Sequence, residues 1–321
     1  MPFPTWLRWA DPAVQLFVGV GAVLVFATCV SWVLRILVAK GRPHAVIDNL
    51  IARVNAWWIM VTLIGLSFLL GSRGVVMLFA MISLFALREY LRVADAVLPP
   101  DRLAVVIAFA VVVPVQYGLL WISWYGLYSV FIPVWAFLLM PIIAVLSGDT
   151  SRFLERTAKM QWGLMICVFC VSHVPALLTL DIPGYDVNPV LLVAWLIIVV
   201  QGSDVLQYVW GKLLGKHKVA PILSPSKTVE GLIGGVASAT LLGTALHWVT
   251  PFSPLEACWM ALAVCLMGFF GGLVMSAIKR DRGVKDWGNL IQGHGGMLDR
   301  VDSIVFAAPI YFHSLRYWWT P

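Results

Sequence analysis

Long polar stretches are missing from this sequence. Asp, Glu, Lys and Arg together make up 12% of its 321 residues. A soluble enzyme tethered by a single anchor would carry an extended hydrophilic segment, and none is present. Cysteine is scarce as well. The five cysteines, Cys29, Cys167, Cys170, Cys258 and Cys265, all fall inside apolar runs. Cys167 and Cys170 form a lone CxxC without the further ligands that zinc needs, so all five read as small buried hydrophobes. A basic soluble face is absent, which argues against nucleic-acid binding. Low-complexity tracts, a clear internal repeat and the GxxxxGK[ST] phosphate loop are absent too.

Apolar sequence fills the chain instead: 61% of residues are hydrophobic and the mean hydropathy is +0.90. The apolar runs are 14–39, 57–72, 74–87, 103–121, 124–146, 162–180, 189–210, 231–250, 256–278 and 303–319. A bilayer crossing needs about 20 residues. The pattern predicts an all-α polytopic membrane protein with nine to ten transmembrane helices. The first run, Val14 to Ala39, keeps Arg35 near its end and lacks a small-residue cleavage pattern after it, so it reads as a span and not as a removed signal peptide. Runs 57–72 and 74–87 are short, and read as a tilted pair or as a re-entrant hairpin turning at Gly71–Gly74. Trp57, Trp58, Trp318 and Trp319 near span ends fit interfacial belts.

Charge orients the chain. With the N-terminus outside, eighteen of the 22 Lys and Arg residues fall in loops or span ends on one face. The other face receives Arg8, Arg73 and Arg316, with Asp181, Asp186 and Glu256. By the positive-inside rule the basic face is cytoplasmic, and the expected location is a bacterial inner (cytoplasmic) membrane. The net charge of +6 then reflects topology and attraction to anionic lipid.

Composition shifts near residue 200. Residues 1–200 read as a transmembrane scaffold, and 201–321 as a catalytic transmembrane region within the same integral unit. Three constellations lie in the second part. Ser203-Asp204-Val205-Leu206-Gln207-Tyr208 sits at the cytoplasmic end of a span. There Asp204 is a helix-end carboxylate paired with a lysine, or a functional group, as ionisable residues at membrane depth commonly are. Ser224-Pro225-Ser226-Lys227-Thr228-Val229-Glu230-Gly231 precedes a helix. It is a capping loop in which Ser224 or Ser226 satisfies helix amides, or an anion site. The third constellation runs from Lys279 to Asp302 and holds ten ionisable residues. Its Asp299 and Asp302, at i and i+3, face the same way, and the Gly293–Gly296 turn can bring Asp286 back towards them. Carboxylates beside cations suit Mg²⁺ together with phosphate oxygens. His294 between glycines bonds a phosphate or braces the turn.

The second and third constellations together resemble the CDP-diacylglycerol synthases (phosphatidate cytidylyltransferases). The residues in register are Ser276, Lys279, Arg280, Lys285, Asp286, Gly288, Ile291, His294, Gly295, Gly296, Met297, Asp299, Arg300, Val301 and Asp302. Upstream, Ser224-Pro225-x-Lys227-Thr228-x-Glu230-Gly231-x-x-Gly234-Gly235 and Gly211-Lys212-x-x-Gly215-Lys216 also match. The likeness covers residues 201–302. It departs at Gln292, where the family usually has Pro, and at Gly272, where many members carry an Asp implicated in metal binding. Asp204, Asp286 or Asp302 would have to compensate for the latter.

The resemblance implies that CTP and phosphatidic acid, or a related lipid phosphate, give CDP-diacylglycerol and pyrophosphate. It implies Mg²⁺, with a second cation left open, held by Asp299 with Asp286 or Asp302, and Asp204 as a further candidate. Lys285, Asp286, Asp299 and Asp302 would be catalytic. Lys227, Lys279, Lys285, Arg280 and Arg300 would neutralise phosphates, and Ser224, Thr228, Glu230 and His294 would complete substrate binding. Membrane lipids are expected neighbours, and a homodimer is left open. Two other functions remain: a CTP-dependent polyprenol or lipid-alcohol kinase, and a non-catalytic lipid-binding or transport protein.

Overall fold

The computed structural model describes residues 12–40, 42–94, 102–146, 148–288 and 295–321. The helices are α1 (Pro12–Leu37), α2 (Ala45–Leu69), α3 (Gly71–Val93), α4 (Arg102–Trp121), α5 (Tyr125–Val145), α6 (Phe153–Thr179) and α7 (Val190–Leu213). A ribbon of β1 (Lys218–Ala220) and β2 (Ser224–Thr228) follows. It leads into α8 (Val229–Ala245), α9 (Pro254–Asp281), the single turn α10 (Leu298–Val301) and α11 (Ile304–Trp318). Among the described residues, eight helices are long and apolar enough to cross a membrane. In that environment helices are favoured because each backbone N–H and C=O is satisfied within its own segment.

Helices α8 and α11 have 17 and 15 residues. At 1.5 Å per residue they reach roughly 25 and 23 Å, short of a hydrocarbon core of about 30 Å. Non-helical backbone adjoins these two short helices: the ribbon before α8, and residues 295–297 before α10.

The expected runs 57–72 and 74–87 are the apolar middles of two full-length helices. Helices α2 and α3 have 25 and 23 residues and turn at Gly71, whose φ is +71°. They do not form a short re-entrant hairpin. Asp48, Arg53, Arg88, Glu89 and Arg92 lie inside their ends and hid those ends from hydropathy. The ribbon is a second departure. The segment read as a capping loop or an anion site pairs antiparallel with β1, Lys218 opposite Thr228 and Ala220 opposite Ser224.

The core is assembled around α7. Its neighbours are α8, α9 and α11, and α3 packs against α4, α6 and the signature segment. Trp195 of α7 is fully buried, stacks on Tyr311 of α11 at 5.1 Å and donates its indole N–H to the Gly243 carbonyl of α8 at 3.0 Å. Helix α1 lies at the other extreme, with Val23, Phe26 and Ile36 exposed as lipid-facing residues are.

Candidate active site

The ribbon and α8 set the first wall. Thr228 is the N-cap of α8, and its Oγ1 accepts the Gly231 N–H at 3.1 Å. The cap is therefore Thr228, not Ser224 or Ser226, and Ser224 lies opposite Ala220 in the ribbon. The Glu230 carboxylate accepts the backbone N–H groups of Lys216 (3.0 Å) and His217 (3.2 Å) and meets His217 Nδ1 at 2.6 Å. It ties the incoming chain to the helix start. The glycines that follow let α8 lie close against α7. A Cβ at Gly235 would overlap the Gln207 side chain, and one at Gly234 would stand 2.6 Å from the Trp210 ring. Close approach through small residues is the usual solution between membrane helices.

Lys227 points from β2 towards α9. Its Nζ lies 4.6 Å from the Phe269 ring centroid, and a Cβ at Gly272 would stand 3.2 Å from that nitrogen. The place where the resemblance leads one to expect an aspartate thus adjoins an ammonium group. Ser303 Oγ is the other neighbour, at 3.7 Å.

Helix α9 ends because Gly283 takes φ +67°. The Gly283 N–H then bonds the Arg280 carbonyl at 3.0 Å and the Val284 N–H bonds the Lys279 carbonyl at 2.9 Å, a Schellman pair. Arg280 Nη1 donates to the Val284 carbonyl at 2.9 Å, which secures the turn. Lys279 points inward, almost fully buried, and its Nζ is 2.7 Å from Asp299 Oδ1. The second Asp299 oxygen accepts the N–H groups of Trp287 (2.8 Å) and Gly296 (2.9 Å). Asp286 lies near the Asp299 end of this segment: a Cβ at Gly295 would stand 3.4 Å from Asp286 Cβ and 2.6 Å from Asp299 Oδ2. Lys285 and Asp286 are exposed at this rim. His294, with Ile291, Gln292 and Gly293, lies outside the described residues.

One site residue escaped the sequence reading. Glu89 of α3 is buried, and its carboxylate accepts the N–H groups of Met297 and Leu298, each at 2.9 Å. A Cβ at Gly296 would overlap it. The adjacent Tyr90 stacks on Trp287 with centroids 5.6 Å apart. The scaffold half therefore holds the signature segment from beneath, across the division expected at residue 200. A lone acid among Arg88, Arg92 and a basic face was the available signal.

Asp204 and Asp302 meet beside this brace. Ser303 Oγ donates to Asp204 Oδ2 at 2.6 Å and stands 3.4 Å from Asp302 Oδ1, which also accepts the Ser303 N–H at 2.8 Å. Burial, then the Asp204 charge, pushes the Asp302 carboxyl up to about 6, against the pull of Lys279 and Lys227. Gln201 of α7 donates to the Arg300 carbonyl at 3.0 Å, placing Arg300 alongside. Among the described residues no three His, Cys, Asp or Glu side chains form a ready-made metal cage. Two hard carboxylates whose mutual repulsion is only partly offset do fit a divalent cation completed by substrate oxygens. Asp299 has both oxygens engaged by three donors, Lys279 Nζ and the N–H groups of Trp287 and Gly296.

The sequence profile of the cytidylyltransferase family matches residues 51–318. The uncharacterized protein YnbB of Escherichia coli K12 is 36% identical over 298 residues, covering 92% of this chain and 96% of that protein. The phosphatidate cytidylyltransferase of Staphylococcus aureus strain COL is 41% identical over 123 residues, 37% of this chain and 44% of its own length. That of Staphylococcus haemolyticus is 40% identical over the same extent. By the length of the family match and by the full-length relative, the chain belongs to the cytidylyltransferase family and is a multi-pass membrane nucleotidyltransferase.

Proposed function

We propose that the protein transfers the cytidylyl group of CTP to a phosphatidic acid, giving a CDP-lipid and pyrophosphate, with its site facing the cytoplasm. The observation that carries this reading is the half-buried pair Asp204 and Asp302, set against the cations Lys227 and Lys279 where α7, α9 and α11 meet the charged loop. An acid pair flanked by lysines suits a reaction between two anions, whose principal obstacle is charge.

The lipid phosphate is already ionised, so a phosphate oxygen attacks the α-phosphorus of CTP without a protein base. The new O–P bond forms as the α–β bridging oxygen leaves with pyrophosphate. Lys227, from the ribbon, and Arg300, from α10, neutralise the reacting phosphates, and exposed Lys285 meets the outgoing pyrophosphate. Asp204 and Asp302 would hold Mg²⁺, which offsets phosphate charge when bound. Glu89, Asp299 and the Lys279 ammonium keep the segment carrying Arg300 and Asp302 in place, so that alignment is set before substrate arrives.

The test uses purified protein in detergent–lipid micelles with CTP labelled in its α-phosphate. Equal amounts of CDP-lipid and pyrophosphate are expected from phosphatidic acid. Release of CDP with phosphorylation of a lipid alcohol would replace this reading with the kinase. Failure to turn over any lipid phosphate would overturn it outright.

A further inference from the structure

Gly271 and Gly272 are neighbours on α9, both buried, and they are glycines for different reasons. A Cβ at Gly271 would stand 2.7 Å from Phe306 Cβ on α11, so the close packing of two helices excludes any side chain there. Gly272 meets no such wall. The nearest atoms to a Cβ at that position are the tip of the flexible Lys227 side chain at 3.2 Å and Ser303 Oγ at 3.7 Å. Its φ is not in the left-handed region. Inside a helix, glycine holds the chain less well than alanine. Neither packing nor backbone conformation therefore imposes glycine at 272. What its missing side chain leaves is a gap walled by an ammonium group and a hydroxyl.

Lys227 is aimed at this gap. It lies on β2, whose register is fixed against β1, and its Nζ rests 4.6 Å from the ring centroid of Phe269, itself 2% exposed. Among the described residues no ion pair or hydrogen bond engages the ammonium. Asp204 and Asp302 are near enough for its charge to act on them, but their own contacts are with Ser303. A half-buried ammonium with an aromatic face on one side and a gap on the other lacks an oxygen acceptor. A carboxylate on residue 272 would supply that acceptor and cancel the charge.

We propose that Gly272 keeps open a seat for a phosphate oxygen of the substrate, with the Lys227 ammonium as its donor. This rests on the cytidylyl-transfer reading and adds a requirement to it. Position 272 must carry no side chain, and above all no acid, for Lys227 to reach the substrate. The bond made there is charge-assisted, between an ammonium and an oxyanion of either CTP or the lipid phosphate.

Gly272→Ala, Gly272→Asn and Gly272→Asp, each with a melting curve in detergent, test the proposal. Asn and Asp have nearly the same size, so the difference between them isolates charge. Gly272→Asn should lower kcat/KM by about tenfold and Gly272→Asp by about a hundredfold or more, with similar melting temperatures. Gly272→Ala should lose less than either, and whichever KM it raises, for CTP or for phosphatidic acid, names the source of the oxygen. Equal losses in Gly272→Asn and Gly272→Asp would reduce the position to packing and overturn the proposal. A Gly272→Asp protein as active as the wild type, or one whose Mg²⁺-induced melting shift appears at lower Mg²⁺, would make the position a metal ligand's and also overturn it.

Ligand-induced melting shifts, with CTP and phosphatidic acid added separately, give a readout independent of turnover. At least one of the two should stabilise the wild type and fail to stabilise Gly272→Asp. Lys227→Gln, which leaves α9 untouched, should lose the same shift. A wild type that makes no CDP-lipid but shows this pattern would sink the reaction and leave the seat standing. An active wild type whose Gly272→Asp and Lys227→Gln variants keep every ligand-induced shift would sink the seat alone.

Discussion

Glu89 and Asp299, in the brace around the charged loop, and Glu230, at the start of α8, each accept two backbone N–H groups: Met297 and Leu298, Trp287 and Gly296, Lys216 and His217. In the adjoining region Asp204 and Asp302 instead face each other across the Ser303 side chain. The same functional group thus does two jobs. A carboxylate that clamps two amides has spent its lone pairs on holding backbone, and for Asp299 the Lys279 ammonium also balances the charge. Two carboxylates sharing one hydroxyl keep an excess of negative charge, which suits them to a cation. The contrast is sharpest within α10 and its end, where Asp299 and Asp302 are three residues apart and belong to different regions.

Substitutions in the brace should therefore act first on stability. Asp299→Asn leaves the buried Lys279 ammonium without its counter-charge, and loss of about 3–5 kcal/mol of stability is expected, read as a lowered melting temperature in detergent. Glu89→Gln keeps the shape but weakens two charge-assisted bonds and brings an amide N–H₂ towards donors. It should cost about 1.5–3 kcal/mol, with activity falling in step with folded fraction. Gly235→Ala forces a methyl group into Gln207 and should destabilise the α7–α8 contact by about 1–3 kcal/mol. The smallest effect is expected at Glu230→Gln, where the clamp is more exposed. Cytidylyl transfer should persist there with the KM for CTP little changed. A large catalytic loss at Glu230 with an unaltered melting curve would move it from the brace to the substrate.

Much of the fold was legible because lipid contact imposes long apolar runs, and these placed in order, among the described residues, the eight helices long enough to cross a membrane and the two shorter ones. The ends of α2 and α3 were not legible. Arg53 and Glu89 are polar residues inside helices, and hydropathy counts them as loop. The site divides in the same way. Asp204 announced itself as an acid at the end of an apolar span, and spacing put Asp299 and Asp302 on one side of a turn. Spacing could not tell which of the two was already satisfied, because Lys279, Trp287 and Gly296 decide that through chain folding. Glu230 and Thr228 looked like substrate ligands within a phosphate-binding motif, and their partners prove to be the amides of 216, 217 and 231. Glu89, some 200 residues from the loop it holds, had no local pattern pointing there. Gly272 showed that a side chain was missing, but the neighbouring Lys227 ammonium is visible in the fold alone.

The division of labour between these acids is tested most directly by following Mg²⁺-dependent thermal stabilisation and CDP-lipid formation together in Asp302→Asn and Asp299→Asn. Asp302→Asn should melt close to the wild type, lose the Mg²⁺-induced shift and lose about a hundredfold or more in kcat. Asp299→Asn should melt well below the wild type while keeping a Mg²⁺-induced shift. An Asp302→Asn protein that retains full activity and its Mg²⁺ response, with that response abolished in Asp299→Asn, would contradict the account.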